Sequence, residues 1–318
     1  MSRTTRVFFV TDVHGSEKCF RKFVNAAKFY DANVLVLGGD ITGKLVIPIV
    51  DLGKSRYTCT YLGNELQLSS EQELASTMKN IRDAGYYPYI SKPDEVAELR
   101  ADKSKVDTLF ERLIVESIDG WVKLATDRLS GSDVKCYISP GNDDTFAIDE
   151  HLVDTGVVFN PEGKVVRIDD VHEMITLGYT NPTPWDTPRE VDENKLGDMV
   201  EGLCSNVREM KNCVFNLHCP PQDTLLDQAP ALDSDLKPII KSGQIQYASA
   251  GSGAVRKALE KYQPLTGFHG HIHEAKGVET IGQTVCFNPG SEYTEGILKG
   301  LLIDLEDKKI KSYMFTSG

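Results

Sequence analysis

Short apolar runs that stop abruptly at Gly, Asp, Asn or His dominate this chain. Residues 6–11 (RVFFVT), 33–38 (NVLVLG), 134–139 (VKCYIS), 174–179 (MITLGY) and 213–217 (CVFNL) have the length and composition of buried strands. Amphipathic stretches separate them. Ser16 is placed to cap a helix whose Phe20, Phe23, Val24 and Ala27 share one face. Leu196, Met199, Val200, Leu203, Val207 and Met210 repeat at helical spacing. From about residue 264 the rhythm changes, and TVCFNPG, ILKGLLIDLE and KKIKSYMF predict consecutive strands in a meander. Strand–helix alternation followed by strands predicts a mixed α/β sandwich.

Between Gly43 and Gly141 there is more chain than one crossover helix needs. LVIPIV and YTCTYLG, joined by DLGKSR, predict a hairpin. Ser70 and Glu73 form a capping box for a helix carrying Leu74, Met78 and Ile81, which ends near Gly85. A second helical stretch, about 94–130, carries Leu109, Leu113, Ile118, Trp121, Leu124 and Leu129, with a break expected near Gly120. We read residues 1–318 as a single domain and about 43–100 as an insertion, a hairpin plus a helix serving as a lid or an interface.

What ends each strand is chemically narrow. RVFFVT runs into Asp12-Val13-His14-Gly15, NVLVL into Gly38-Gly39-Asp40, and VKCYIS into Pro140-Gly141-Asn142-Asp143-Asp144. CVFNL runs into His218, and LTGF into His269-Gly270-His271-Ile272-His273. Taken singly, each is an ordinary turn or a buried histidine. Together they differ from chance, because ligands of open α/β sheets bind beyond the carboxyl ends of strands. Five of the seven histidines lie in this set. Residues two apart in an extended segment point the same way, so His271 and His273 can chelate one site.

Asp-x-His, Gly-Gly-Asp, Gly-Asn-x-Asp, His and Gly-His-x-His, in this order, resemble the calcineurin-like metallophosphoesterases. The resemblance covers the chain outside the insertion. It implies an α/β fold of two mixed β-sheets packed face to face and flanked by helices, a four-layer sandwich, here with an inserted cap segment. It also implies two divalent metal ions at the strand ends. By position, Asp12, His14, Asp40 and His273 would hold one ion. Asp40, Asn142, His218 and His271 would hold the other, with Asp40 bridging. Mixed nitrogen and oxygen ligands suit Mn, Fe, Zn, Co or Ni better than Ca or Mg, and we favour Mn. The implied reaction is hydrolysis of phosphate esters by a metal-activated hydroxide. Two dications would leave the site with a formal charge of about +1, which attracts phosphate in an acidic protein.

One position departs from the family. Most members have His where this chain has Asp143, and that His stabilises the transition state and protonates the leaving oxygen. A carboxylate beside two dications is expected to be ionised and cannot donate a proton. The enzyme should then favour phosphodiesters or other esters with good leaving groups, or take its acid from the insertion or a neighbouring loop. A turn carboxylate pointing away from the metals is the other reading of Asp143. We group Asn142, Asp143 and Asp144 as the catalytic turn, with Asp144 orienting a partner or capping the turn. His269 is either a support for the metal ligands or plain packing. In the Pro-rich stretch 180–192, Trp185 is placed to pack on a base or ring and Arg189 to grip a phosphate oxygen. Residues 219–235 are placed to form a rim, and Tyr57, Tyr61, Tyr86, Tyr87 and Tyr89 of the insertion to fill a core or an interface.

Composition narrows the partners. The chain has a net charge of −12 and no basic block, which argues against long nucleic acid. The expected partner is a small phosphate ester, a nucleotide included, with a homo-oligomer contact through the insertion left open. Seven scattered cysteines without a CxxC pair read as buried thiols of a reducing compartment. With no signal-peptide pattern and no apolar stretch of membrane-spanning length, the expected location is cytoplasmic. A phosphomonoesterase and a non-catalytic metal-binding scaffold of the same fold are the alternatives. The protein-phosphatase branch is disfavoured, because Gly-Gly-Asp-Ile-Thr-Gly lacks that branch's Gly-Asp-x-Val-Asp-Arg-Gly pattern.

Overall fold

A computed structural model describes residues 4–318. In chain order it contains β1 (Thr5–Val10), α1 (Glu17–Phe29), β2 (Val34–Gly38), β3 (Val46–Gly53), β4 (Arg56–Tyr61), β5 (Asn64–Leu68), α2 (Glu71–Asp83) and β6 (Tyr87–Ser91). Then follow α3 (Pro93–Ala101), α4 (Lys103–Leu129), β7 (Lys135–Ser139), β8 (Val158–Phe159), β9 (Val165–Arg167), β10 (Glu173–Leu177), α5 (Glu193–Cys204) and β11 (Cys213–Leu217). Four short strands come next: β12 (Gln228–Pro230), β13 (Ile240–Lys241), β14 (Gln244–Ile245) and β15 (Tyr247–Ser249). The chain closes with α6 (Gly253–Tyr262), β16 (Thr266–Phe268), β17 (Gly277–Ile281), β18 (Thr284–Asn288), β19 (Lys299–Glu306) and β20 (Lys309–Ser317).

Two six-stranded mixed sheets carry the fold. One runs β20-β19-β1-β2-β7-β8, the other β17-β18-β16-β11-β10-β9. The second has a parallel centre flanked by an antiparallel strand on each edge, whereas in the first the antiparallel strands β19 and β20 lie on one side only, because β8 pairs parallel with β7. The alternation of β1 shows how the layers form, because successive side chains of a strand face opposite ways. Val7 and Phe9 point at the second sheet and pack with Met174, Val214, Phe268 and Phe287. The rings of Phe9 and Phe268 stack at 4.7 Å. Phe8 and Val10 point outward, onto Phe20 and Phe23 of α1 and Trp121 of α4. On the far side of the second sheet, Ile175, Leu177, Phe215 and Leu217 pack with Leu196 and Val200 of α5 and Val255 and Leu259 of α6. The result is the helix–sheet–sheet–helix sandwich expected from the sequence.

Residues 46–91 form their own four-stranded sheet, β5-β4-β3-β6, with a separate small core around Ile49, Tyr57, Leu74 and Ile81. It is larger than a hairpin plus helix, because β5 and β6 add to the β3–β4 hairpin. Its tyrosines pack within it and against its neighbours, Tyr87 meeting Phe110 of α4 edge to face and the Tyr89 hydroxyl lying 2.6 Å from Glu95 of α3. Tyr57 and Tyr87 are buried, the Tyr57 hydroxyl lies 2.6 Å from Glu71, and Tyr61 and Tyr86 meet edge to face.

Two expectations are corrected. The long helical stretch breaks at Asp102, whose side chain caps α4 by accepting from Ser104 N, and α4 runs unbroken through Gly120. The Gly120 site is open, with nothing within 4 Å of where a Cβ would stand, so no packing bends the helix there. The C-terminal strands are also not one meander. β17–β18 and β19–β20 are two hairpins that belong to different sheets. Residues 289–298 carry the chain from one sheet to the other.

Candidate metal centre

Every strand-end motif of the sequence converges on one edge of the sandwich. Asp12 and His14 follow β1, Asp40 follows β2 and Asn142 follows β7, all in the first sheet. His218 follows β11, and His271 and His273 follow β16, in the second. The parallel strands of both sheets therefore point their carboxyl ends at a common cleft.

The side chains form overlapping clusters. Potential ligand atoms of Asp12, His14 and His273 lie within 4.8 Å of one another, as do those of Asp40, His218 and His271. His14 Nε2 is 3.0 Å from His273 Nε2, and His271 Nδ1 is 2.8 Å from Asn142 Oδ1. Asp40 spans the two groups: Oδ2 lies 3.6 Å from His14 Nε2 and Oδ1 3.4 Å from His218 Nε2. Asp12 Oδ1 lies 3.4 Å from His273 Nε2 and 3.8 Å from His218 Nε2. The seven side chains named from the sequence thus meet in one place.

Local backbone explains how. Asp12, His14, Asp40 and His271 all adopt positive φ, of 53°, 39°, 50° and 69°. Non-glycine residues rarely do so, and such strain clusters at functional sites. Gly141 is required by close approach, since a Cβ there would lie 2.3 Å from Asp40 Oδ1. At the back of the site the insertion touches it directly. Gly85, at φ 88°, packs so that a Cβ would stand 2.2 Å from His14 O.

The donor set fits divalent cations. His218 Nδ1 donates to Gly38 O at 2.9 Å, which orients the ring so that Nε2 faces the cluster. Among the described residues His218 Nε2 and His14 Nδ1 have no hydrogen-bond partner, although both rings are buried. A buried, unpartnered imidazole nitrogen is costly unless something else satisfies it. Two nitrogens each about 2.1 Å from one cation at a right angle are separated by about 3 Å, the spacing of the His14–His273 pair. Electrostatics agree. Burial works against the carboxylates of Asp12 and Asp40, but the neighbouring histidines hold both well below the usual range. Burial also works against a charged His218, yet Asp40 and Asp12 push it up to about 10. Burial pushes His14 down to about 3 and His271 down to about 4. Both carboxylates are thus held ionised, while His14 and His271 are kept neutral and can serve as ligands.

The remaining predicted residues separate. Asp143 turns toward the site, not away from it: its carboxylate clusters with His14 and Asp40, and its N–H donates to Asp40 Oδ1 at 3.0 Å. Asp144 is not at the reacting surface. It is fully buried and accepts from Ile41 N, Thr42 N, Thr42 Oγ1 and Gly141 N at 2.6–3.0 Å, clamping the Asp40 loop to the Asn142 turn. Asp144 thus caps the turn and orients its neighbours, the role expected of it, and takes no part at the reacting surface.

Arg189 is corrected as well. It is 2% exposed, donates to Asp144 O, Thr145 O and Asp149, and lies over the Phe146 ring at 4.4 Å. Its guanidinium is spent on the turn behind Asn142 and cannot reach a substrate. Trp185 is exposed and lines the cleft. His269 is buried, with Nδ1 donating to the carbonyls of Leu217 and Cys219, and belongs to none of the clusters.

Several residues at the site gave no signal in the sequence. Lys44 forms an ion pair with Asp143 at 2.6 Å. Thr187 accepts from Asn142 Nδ2 at 2.8 Å, turning the amide oxygen toward His271. Tyr293 packs its ring against His14 at 4.7 Å and His273 at 5.9 Å. Lys44 lies just past the Gly-Gly-Asp-Ile-Thr-Gly stretch, Thr187 within the Pro-rich stretch 180–192, and Tyr293 in a segment that carries no motif.

No family model matches the chain. The uncharacterised protein MJ1162 of Methanocaldococcus jannaschii is 30% identical over 152 residues, 47% of this chain and 61% of that protein. The chain thus matches about three fifths of its curated relative's length. A solved crystal structure aligns over 99% of both chains with a TM-score of 0.59 at 16% identity, which shows the fold. The protein TT1561 of Thermus thermophilus aligns over 99% of both chains with a TM-score of 0.49 at 14% identity. A protein described as a novel archaeal phosphodiesterase aligns over 99% of this chain and 100% of its own, with a TM-score of 0.33 at 9% identity. The last two likenesses are too low to carry an argument. Whole-chain likeness here is one of architecture, and the chemistry rests on the side chains gathered at the strand ends.

Proposed function

We propose that this chain is a phosphoesterase dependent on two divalent metals, acting on phosphodiesters or other esters with good leaving groups. The observation that carries the reading is the double cluster, Asp12–His14–His273 and Asp40–His218–His271, with the unpartnered Nε2 of His218 facing into it. Asp12, His14, Asp40 and His273 would hold one ion, and Asp40, Asn142, His218 and His271 the other. Mn, Fe, Zn, Co or Ni suit these ligands, with Mn the favoured ion. When bound, such a pair activates water at neutral pH and offsets charge on a phosphoryl group.

The chain's own residues supply orientation. Gly38 O fixes the His218 tautomer, Thr187 turns Asn142, and Asp144 locks the two carboxylate-bearing loops together. Asp143 stands where a proton donor would be useful. Burial and the charge of Asp40 raise its pKa, but its pairing with Lys44 favours the charged form. A carboxylate already paired with an ammonium accepts hydrogen bonds and donates none. That supports substrates whose leaving oxygen needs no protonation. Among the described residues no helix is long and apolar enough to cross a membrane, and all seven cysteines are free and buried. Both fit the proposed cytoplasmic setting. We further infer one catalytic domain with the insertion over about 43–100.

The test is metal analysis together with hydrolysis of bis(p-nitrophenyl) phosphate and p-nitrophenyl phosphate. We expect up to two metal equivalents per chain and Mn-stimulated cleavage that favours the diester. Metal-loaded protein that cleaves neither substrate would overturn the enzyme reading in favour of a scaffold.

A further inference from the structure

We propose that Lys44, aimed by Asp143, is the side chain that binds the phosphoryl group of the substrate; this rests on the phosphoesterase reading above. Lys44 follows the Asp40 loop at the threshold of the insertion. Its ammonium lies 2.6 Å from Asp143 Oδ2, with the Lys and Asp side chains 46% and 25% exposed. The pair is therefore open to the cleft and not sealed in a core. Asp143 is fixed in turn, because its N–H donates to Asp40 Oδ1 and its carboxylate sits among the ligand atoms of His14 and Asp40.

The cleft makes this cation consequential. It encloses about 1190 Å³ and runs from Asp40, Asn142 and His271 outward past Trp185. Asp107, Glu111, Glu193 and Glu274 line it, and among the described residues Lys44 is its only lysine or arginine. Arg189, the other candidate cation, is buried behind Asn142. An anionic ester entering this cleft would otherwise meet carboxylates. An ammonium has three donors, so Lys44 can keep one on Asp143 and direct another at a phosphoryl oxygen. Asp143 is then a positioning residue, and the Lys–Asp pair restores to the site the positive charge that an aspartate at this place removes.

The experiment titrates inorganic phosphate into Mn-loaded wild type, Lys44→Met, Lys44→Arg and Asp143→Asn by calorimetry, with bound metal measured by atomic emission. Lys44→Met should keep its metal and bind phosphate roughly tenfold more weakly or worse, the size of one charged hydrogen bond. Lys44→Arg should recover part of the affinity. Asp143→Asn should weaken phosphate severalfold, because the ammonium loses its anchor. Phosphate binding by Lys44→Met equal to wild type overturns the assignment, and tighter binding by Asp143→Asn overturns the positioning role. Wild type that takes up metal but no phosphate overturns Lys44 as the anchor while the metal reading stands. Wild type that takes up no metal overturns the reading on which both rest.

Discussion

His14 and His273 face each other through their Nε2 atoms at 3.0 Å, although 259 residues separate them. Two imidazole nitrogens approach that closely when one donates to the other or when both serve a common cation. The second arrangement also uses the carboxylates of Asp12 and Asp40 beside them.

Chelation should therefore change both activity and stability. Removing metal is expected to abolish hydrolysis and to lower the melting temperature by a few degrees. Saturation at a hundredfold excess over the dissociation constant is worth about 2.7 kcal/mol. His218→Ala should lose part of the bound metal and at least roughly 10² in turnover, since metal assistance supplies several kcal/mol. Scanning calorimetry with and without chelator, and metal counting on the variant, check this. Full metal content in His218→Ala would remove His218 from the ligand set.

Asp143→His puts a proton donor where the family usually has one. Turnover on diesters with poor leaving groups should rise, by at most roughly 10²–10⁴, while activated aryl diesters change little. A leaving-group series on metal-loaded protein reads the effect. Unchanged turnover across the series would show that the missing acid does not limit this site.

Asp144 accepts four hydrogen bonds from two loops while fully buried. Asp144→Ala leaves those donors unpaired and should cost roughly 3–5 kcal/mol. Metal affinity should fall with it, because the Asp40 loop and the Asn142 turn are no longer tied. Urea denaturation and metal titration of the variant test both parts.

Arg189 and Trp185 should behave oppositely. Arg189→Met removes buried charged hydrogen bonds and the contact with Phe146, for a loss of roughly 2–4 kcal/mol in stability. Its KM should stay near wild type. Trp185→Ala should leave stability unchanged and raise KM for aromatic esters. A large KM effect in a fully stable Arg189→Met protein would return the arginine to the substrate.

Away from the site, the His172–Asp169 pair makes stability depend on pH. His172 Nδ1 lies 2.6 Å from Asp169 Oδ2, and its Nε2 lies 3.1 Å from Glu306 O, linking the two sheets. Burial works against the imidazolium, but the hydrogen bond and charge of Asp169 outweigh it and raise the His172 pKa. Burial works against the Asp169 carboxylate too, yet His172 and nearby N–H groups hold it well below the usual range. The imidazolium's contribution is complete below the ordinary histidine value of about 6.5 and is lost as pH rises through the raised value. The carboxylate's contribution is present above about pH 3.9 and is lost as pH falls through the depressed value. Urea denaturation should show wild type losing more stability than His172→Gln as pH rises above the ordinary histidine value of about 6.5. Equal losses would mean that His172 carries no extra charge in the fold.

Much of this molecule was legible in its residues. Short continuous apolar runs specify the buried strands, and Ser16 and Ser70 mark helix starts because their hydroxyls accept from Cys19 N and Glu73 N. The convergence of the strand-end carboxylates and imidazoles was legible for a related reason. A carboxylate or imidazole just past a parallel strand has one place to go, the common edge where those strands end.

Tertiary packing decided the rest. Whether Arg189 faced substrate or core depended on Asp149, Phe146 and two carbonyls that close around it. The two C-terminal hairpins, alike in local pattern, joined different sheets, a choice made by long-range strand pairing. The pairing of Lys44 with Asp143 joins residues 99 positions apart. Local propensity and turn chemistry act over a few residues and can be read from the chain. A long-range ion pair, or the burial of one arginine, exists only once the sheets have packed and their loops have met.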